Sequence, residues 1–161
     1  MGRHLILAGV AAIALALPIA GHAGTATTTI AVTATIPQAC TVTATALAFG
    51  NYDAALGTSG SSNITVTCQA SDTYTIDLDA GANGTLAGSS TTRAMASGAQ
   101  QLSYNLFSDS AHTKVWATGA GADVTGTANL TTVTPVYGFI PASQTAGAGA
   151  YTDTIHVTLT Y

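Results

Sequence analysis

Glutamate is absent from this chain, Lys114 is its one lysine, and charged residues of every kind make up only 6% of its 161 positions. Typical soluble domains carry roughly 25%. Disordered chains combine high charge with few hydrophobic residues, whereas 47% of this chain is hydrophobic, so disorder is excluded. Nucleic-acid binding is excluded as well. It needs several cations to neutralise phosphates, and beyond Arg3 the chain has only Arg93 and Lys114 against seven Asp. Cysteine is limited to Cys40 and Cys68. Beyond the first two dozen residues no apolar run approaches the ~20 residues that a bilayer span needs, so no transmembrane segment is expected in the mature chain. The length leaves room for one domain with short extensions.

Thr, Ala, Gly and Ser occupy the places where charges would otherwise keep a surface wet. Thr is β-branched and stiff at χ1, which suits a pleated strand better than a helix, and composition therefore favours an all-β protein.

Residues 1–23 read as a secretory signal. Arg3 supplies the positive start, Leu5 to Leu17 the apolar run, Pro18 its break, and Gly21-His22-Ala23 a cleavage site with small residues at the outer positions. Export places Cys40 and Cys68 in an oxidising compartment, where an even count in a small domain indicates a structural disulfide. A redox pair would need a CxxC spacing, and 27 residues intervene. No His lies near either Cys to make a metal site.

Residues 24–39 alternate with period two. Ala26, Thr28, Ile30, Val32, Ala34 and Ile36 share one face, threonines the other, and Pro37 stops the ladder. Further alternating runs follow: 40–50 with Leu47 and Phe49, then Ile64-Val66-Cys68, Tyr74-Ile76-Leu78 and Leu102-Tyr104-Leu106. The chain ends on Tyr151, Asp153, Ile155, Val157, Leu159 and Tyr161. Weaker strands are expected at 115–118, 124–133 and 136–140. Residues 51–62 and 143–149 read as loops, and 81–98 as a long loop or weak hairpin. Short strands, frequent turns and no helical period predict a β-sandwich over residues 40–161. A sandwich lacking a terminal strand would expose an apolar groove and unpaired backbone, a template for another chain's strand. Segment 25–36 has the pattern to fill such a groove, burying Ile30, Val32 and Ile36 at roughly 1.5–3 kcal/mol each. The same pattern also fits a first strand of its own domain, and patterning does not separate the two.

Catalysis finds no support. Asp77 and Asp79 read as solvated carboxylates beside core-facing Ile76 and Leu78, and His112 and His156 as surface residues without convergent ligands. No G-x-S-x-G elbow or P-loop glycine pattern is present. No catalytic residue, metal or cofactor is therefore expected, and Tyr104, Trp116, Tyr137 and Tyr151 read as packing residues rather than a carbohydrate platform.

Four stretches together resemble the spore coat protein U family, the subunits of archaic chaperone–usher (Csu-type) pili. They are Cys40-Thr41-Val42 with 47–52; 64–68; 102–109 with Trp116 beyond; and 136–141 continuing through 149–161. The resemblance implies an incomplete immunoglobulin-like β-sandwich completed by donor-strand exchange. It implies a donor strand carrying Ile30, Val32, Ala34 and Ile36, an acceptor groove lined partly by Tyr151, Ile155, Val157, Leu159 and Tyr161, and a Cys40–Cys68 bridge. The partners it implies are a periplasmic pilus chaperone, an outer-membrane usher and neighbouring copies of itself or related pilins. It places the protein on the cell surface in a pilus serving adhesion and biofilm formation. The alternative is a self-contained secreted sandwich that binds carbohydrate or another surface ligand, with 25–36 folded into its own sheet.

Overall fold

The computed structural model describes residues 21, 23–69, 73–119, 121–128 and 130–161. Most of the expected export signal lies outside these residues. The chain divides into two units, Met1–Ala34 and Thr35–Tyr161. None of residues 23–39 belongs to a strand, and Ile30, Val32 and Ile36 are 85%, 89% and 76% exposed.

The second unit is all-β. Its strands are β1 Cys40–Ala44, β2 Thr58–Cys68, β3 Thr73–Leu78, β4 Arg93–Ser97, β5 Gln100–Phe107, β6 Val124–Thr127, β7 Thr131–Ile140 and β8 Val157–Thr160. One sheet has the order β1-β2-β7-β5-β4 and the other β6-β3-β8, with every pairing antiparallel. Alternation decides which side chains meet between them. Ile64, Val66 and Cys68 of β2, Leu102, Tyr104 and Leu106 of β5, and Val136 and Ile140 of β7 face Tyr74, Ile76 and Leu78 of β3 in one core. Trp116, fully buried, fills the space between them and donates its indole N–H to Ile76 O at 2.9 Å. Cys40 and Cys68 stand opposite each other in the β1–β2 register and form the disulfide, with an S–S distance of 2.04 Å.

Several expected boundaries move. Strand β2 begins at Thr58, inside the stretch expected to be a loop, because a ten-residue register with β7 outweighs its Gly/Ser composition. The weak hairpin at 81–98 resolves into β4, turned back onto β5 through Gly98 at φ 60°. Residues 124–133 form two strands in different sheets, with Leu130 at φ 68° beside the turn between them. The terminal run is regular only over Val157–Thr160. Before it, Thr152 bridges to Ala96, and the polar contacts of Asp153 and His156 hold the chain instead.

Candidate functional site

Two strands are left with one open edge each on the same side of the sandwich. Among the described residues β1 pairs only with β2 and β8 only with β3, although β1 and β8 lie near one another. Between them runs a cleft of about 420 Å³. Its floor crosses the inner face of the larger sheet through Ser62, Ile64, Val136, Leu106, Tyr104 and Met95. One wall is the strap that leaves β1, Ala44–Leu47 and Phe49, and the other is residues 151–155 with Val157. The lining is mostly apolar because its floor is made of inward, core-facing positions of β2, β5 and β7.

Tyr151, Ile155 and Val157, expected from the sequence, line this cleft. Leu159 does not; it packs half-buried against the core farther along β8. Tyr161 lies outside the cleft, 51% exposed. Ile30, Val32, Ala34 and Ile36 are all exposed.

Polar anchors behind the 151–157 wall were not anticipated. Arg93 is only 1% exposed. Its Nε donates to Asp79 O (2.9 Å), Nη1 to Asn105 Oδ1 (2.7 Å), and Nη2 to Leu78 O (3.2 Å) and Trp116 O (2.8 Å). Burial depresses its guanidinium, opposed by nearby Tyr104, Asp79 and Asp153, and an arginine so placed remains charged. Tyr104 donates its hydroxyl to Asp153 Oδ2 at 2.8 Å, and burial together with that carboxylate pushes the phenol well above its ordinary pKa. Asp153 also accepts from the N–H groups of Ala82 and Thr154. Asp79, expected to be merely solvated, accepts from His156 N at 2.9 Å and lies 2.7 Å from His156 Nδ1. Burial raises the Asp79 carboxyl, but the backbone and ring hydrogen bonds of His156 and the N–H of Gly81 outweigh it and hold it below its ordinary value. The one sequence signal for these anchors was a single arginine in a charge-poor domain; it opens β4, two residues before Met95 on the same face.

What the geometry defines is an immunoglobulin-like sandwich with an unfilled place for one more strand. The sequence model of the Spore Coat Protein U domain matches residues 26–158, and the chain belongs to that family. Among solved structures it is similar to a chain of the CsuC–CsuE chaperone–tip adhesion subunit pre-assembly complex from archaic chaperone-usher Csu pili of Acinetobacter baumannii. The identity is 20% and the TM-score 0.59; the match covers 79% of this chain and 40% of that one. No curated protein matches the sequence significantly.

Proposed function

We propose that this protein is a structural, non-enzymatic subunit of a surface pilus assembled by the chaperone–usher route, in which residues 25–36 of one copy fill the groove of the next. The observation that carries this reading is a pair of complementary features in one chain. An apolar cleft runs between two unpartnered sheet edges. An alternating segment leaves Ile30, Val32 and Ile36 in solvent. Added backbone hydrogen bonds along an open edge and burial of alternate side chains are the two sources of affinity in strand addition. The Acinetobacter complex pairs a related fold with a chaperone, which supports a periplasmic chaperone as the occupant of the groove before assembly. An outer-membrane usher would then exchange that occupant for the next subunit's donor. Export through the periplasm, a place in the pilus at the cell surface, and a role in adhesion and biofilm formation follow from the same reading.

The test is native mass and thermal stability of the exported protein with and without residues 24–36. The expected result is a ladder of heat-resistant oligomers that vanishes on truncation. A single stable monomer that unfolds when 24–36 are removed would overturn the proposal.

A further inference from the structure

Building on the donor-strand reading, we propose that Phe49 is the specificity-determining residue of the groove, a constriction that accepts only a small donor side chain, and that Ala34 of the incoming strand seats against it. The position of Phe49 is set by two glycines. Gly60 and Gly138 are direct partners across β2 and β7, both at inward positions. A Cβ on Gly138 would stand 2.7 Å from Phe49 Cζ and 3.1 Å from Leu47 Cδ1; one on Gly60 would stand 3.0 Å from Leu47 Cδ2 and 3.2 Å from Phe49 Cδ1. The pair thus forms a recess in the sheet into which the strap presses. The strap is tied at both ends. Thr45 N donates to Asn63 O at 3.0 Å, and the Tyr52 hydroxyl donates to Pro141 O at 2.9 Å. Within it the Phe49 ring meets Tyr104 edge to face, with centroids 5.8 Å apart, and Tyr104 is itself fixed by Asp153. Neither ring is free to withdraw.

The cleft therefore differs from end to end. By strand register, Ala44, Ala46, Ser62 and Ile64 line it near β1 and the start of β8, with Val157 opposite; Leu47 and then Phe49, with Tyr104 and Tyr151, line it toward Met95. The wall from Tyr151 to Val157 is seven residues long, and so is Ile30–Ile36, which presents four alternate side chains of which only Ala34 is small. Seating Ile30 and Val32 at the end lined by small residues puts Ala34 at Phe49. It leaves Ile36 beside Met95, an unbranched side chain that adapts its shape. The opposite direction would press Val32 on Phe49 and leave Ala34 facing alanines, crowding one end and leaving a void at the other.

Labelled peptides spanning residues 25–36 and the full exported chain carrying Val32→Asp, whose own donor segment no longer fills a neighbour's groove, test this by fluorescence polarisation, with Phe49 either native or replaced. The Ala34→Leu peptide is expected to bind the protein with native Phe49 about tenfold or more weakly than the native peptide, and to recover to within about threefold on the Phe49→Ala protein. A Val32→Leu peptide is expected to gain nothing from that variant. Phe49→Leu, which keeps the strap packed, carries the same comparison with partial recovery should Phe49→Ala fail to fold. Tolerance of Ala34→Leu by the protein with native Phe49, or recovery at position 32 instead of 34, would overturn the inference while leaving strand exchange standing. Failure of the native peptide to bind would refute the donor-strand reading and this inference with it.

Discussion

Replacing Arg93 with Met removes one charge and four hydrogen bonds from a nearly sealed site while keeping an unbranched side chain of similar reach. Three main-chain carbonyls, of Leu78, Asp79 and Trp116, and the Asn105 side chain lose the arginine as donor, while Asn105 Oδ1 keeps the N–H of Leu106 at 3.0 Å and Leu78 O the Thr118 hydroxyl at 3.4 Å. Leaving a buried acceptor unsatisfied costs about 1–3 kcal/mol per group. Against that, the variant no longer has to desolvate a guanidinium, which returns several kcal/mol. The balance is a loss of about 2–4 kcal/mol, which for a domain of this size lowers the melting temperature by about 10 °C. Trp116 is the only tryptophan and is fully buried beside the substituted residue, so its emission reports unfolding directly in a urea titration. Arg93→Lys is expected to restore little, because one ammonium group lacks the planar fork that reaches carbonyls on several elements. A Met variant as stable as the parent, within about 0.5 kcal/mol, would refute the reasoning and show that the site accepts a well-packed apolar replacement, as buried charges elsewhere do.

Three further outcomes follow from the same structure. Asp79 is held below its ordinary carboxylate pKa in the folded protein, so its contribution is present above the unfolded value and lost as pH falls through the folded one. Asp79→Asn is therefore expected to flatten the acid limb of a melting-temperature profile below about pH 4, with an unchanged limb counting against the His156 contact. Replacing both Cys40 and Cys68 with Ser removes a cross-link over 28 positions and is expected to cost about 3–4 kcal/mol in urea unfolding; a cost under 1 kcal/mol would contradict the chain-entropy account. Val32→Asp, 89% exposed in the single chain, is expected to abolish oligomers by native mass while leaving the Trp116 transition of the isolated subunit unmoved. A matching loss of subunit stability would mean that Val32 is packed within its own chain.

The β-sandwich was legible because burial leaves a period-two trace. Ile64-Val66-Cys68, Tyr74-Ile76-Leu78 and Leu102-Tyr104-Leu106 all face the core as their alternation required. Strand ends were less legible where composition and pairing disagree. Ser59 and Ser61 look like loop residues, yet they are outward positions of a strand whose inward Gly60 is needed for the strap. Tyr151, Ile155 and Val157 could be placed on one face from sequence, but the departure of Leu159 and Tyr161 from the cleft depends on where β8 begins to pair with β3. The Arg93 hub was out of reach because its partners are mainly carbonyls, which every residue carries and which leave no trace in residue identity.

The location of these anchors bears on how an open subunit keeps its shape. β8 is four residues long and paired on one side only, the kind of element expected to open at low free-energy cost. The residues before it form one wall of the groove, and there the chain concentrates its scarce polar resources. Asp153 is gripped by Tyr104 and Ala82, and His156 by Asp79, while Arg93 binds the carbonyls of Leu78 and Asp79 at the end of β3. A wall fixed before the donor arrives spares the incoming strand the entropy of ordering it, which is the general route by which preorganisation raises affinity. Two kinds of variant should therefore separate. Changes in the donor segment remove contacts that exist only after exchange and leave the subunit intact. Changes in the Arg93, Asp79 and Asp153 set loosen the wall itself, so they weaken both the folded subunit and its hold on a neighbour, with the loss of affinity appearing even for an unaltered donor peptide.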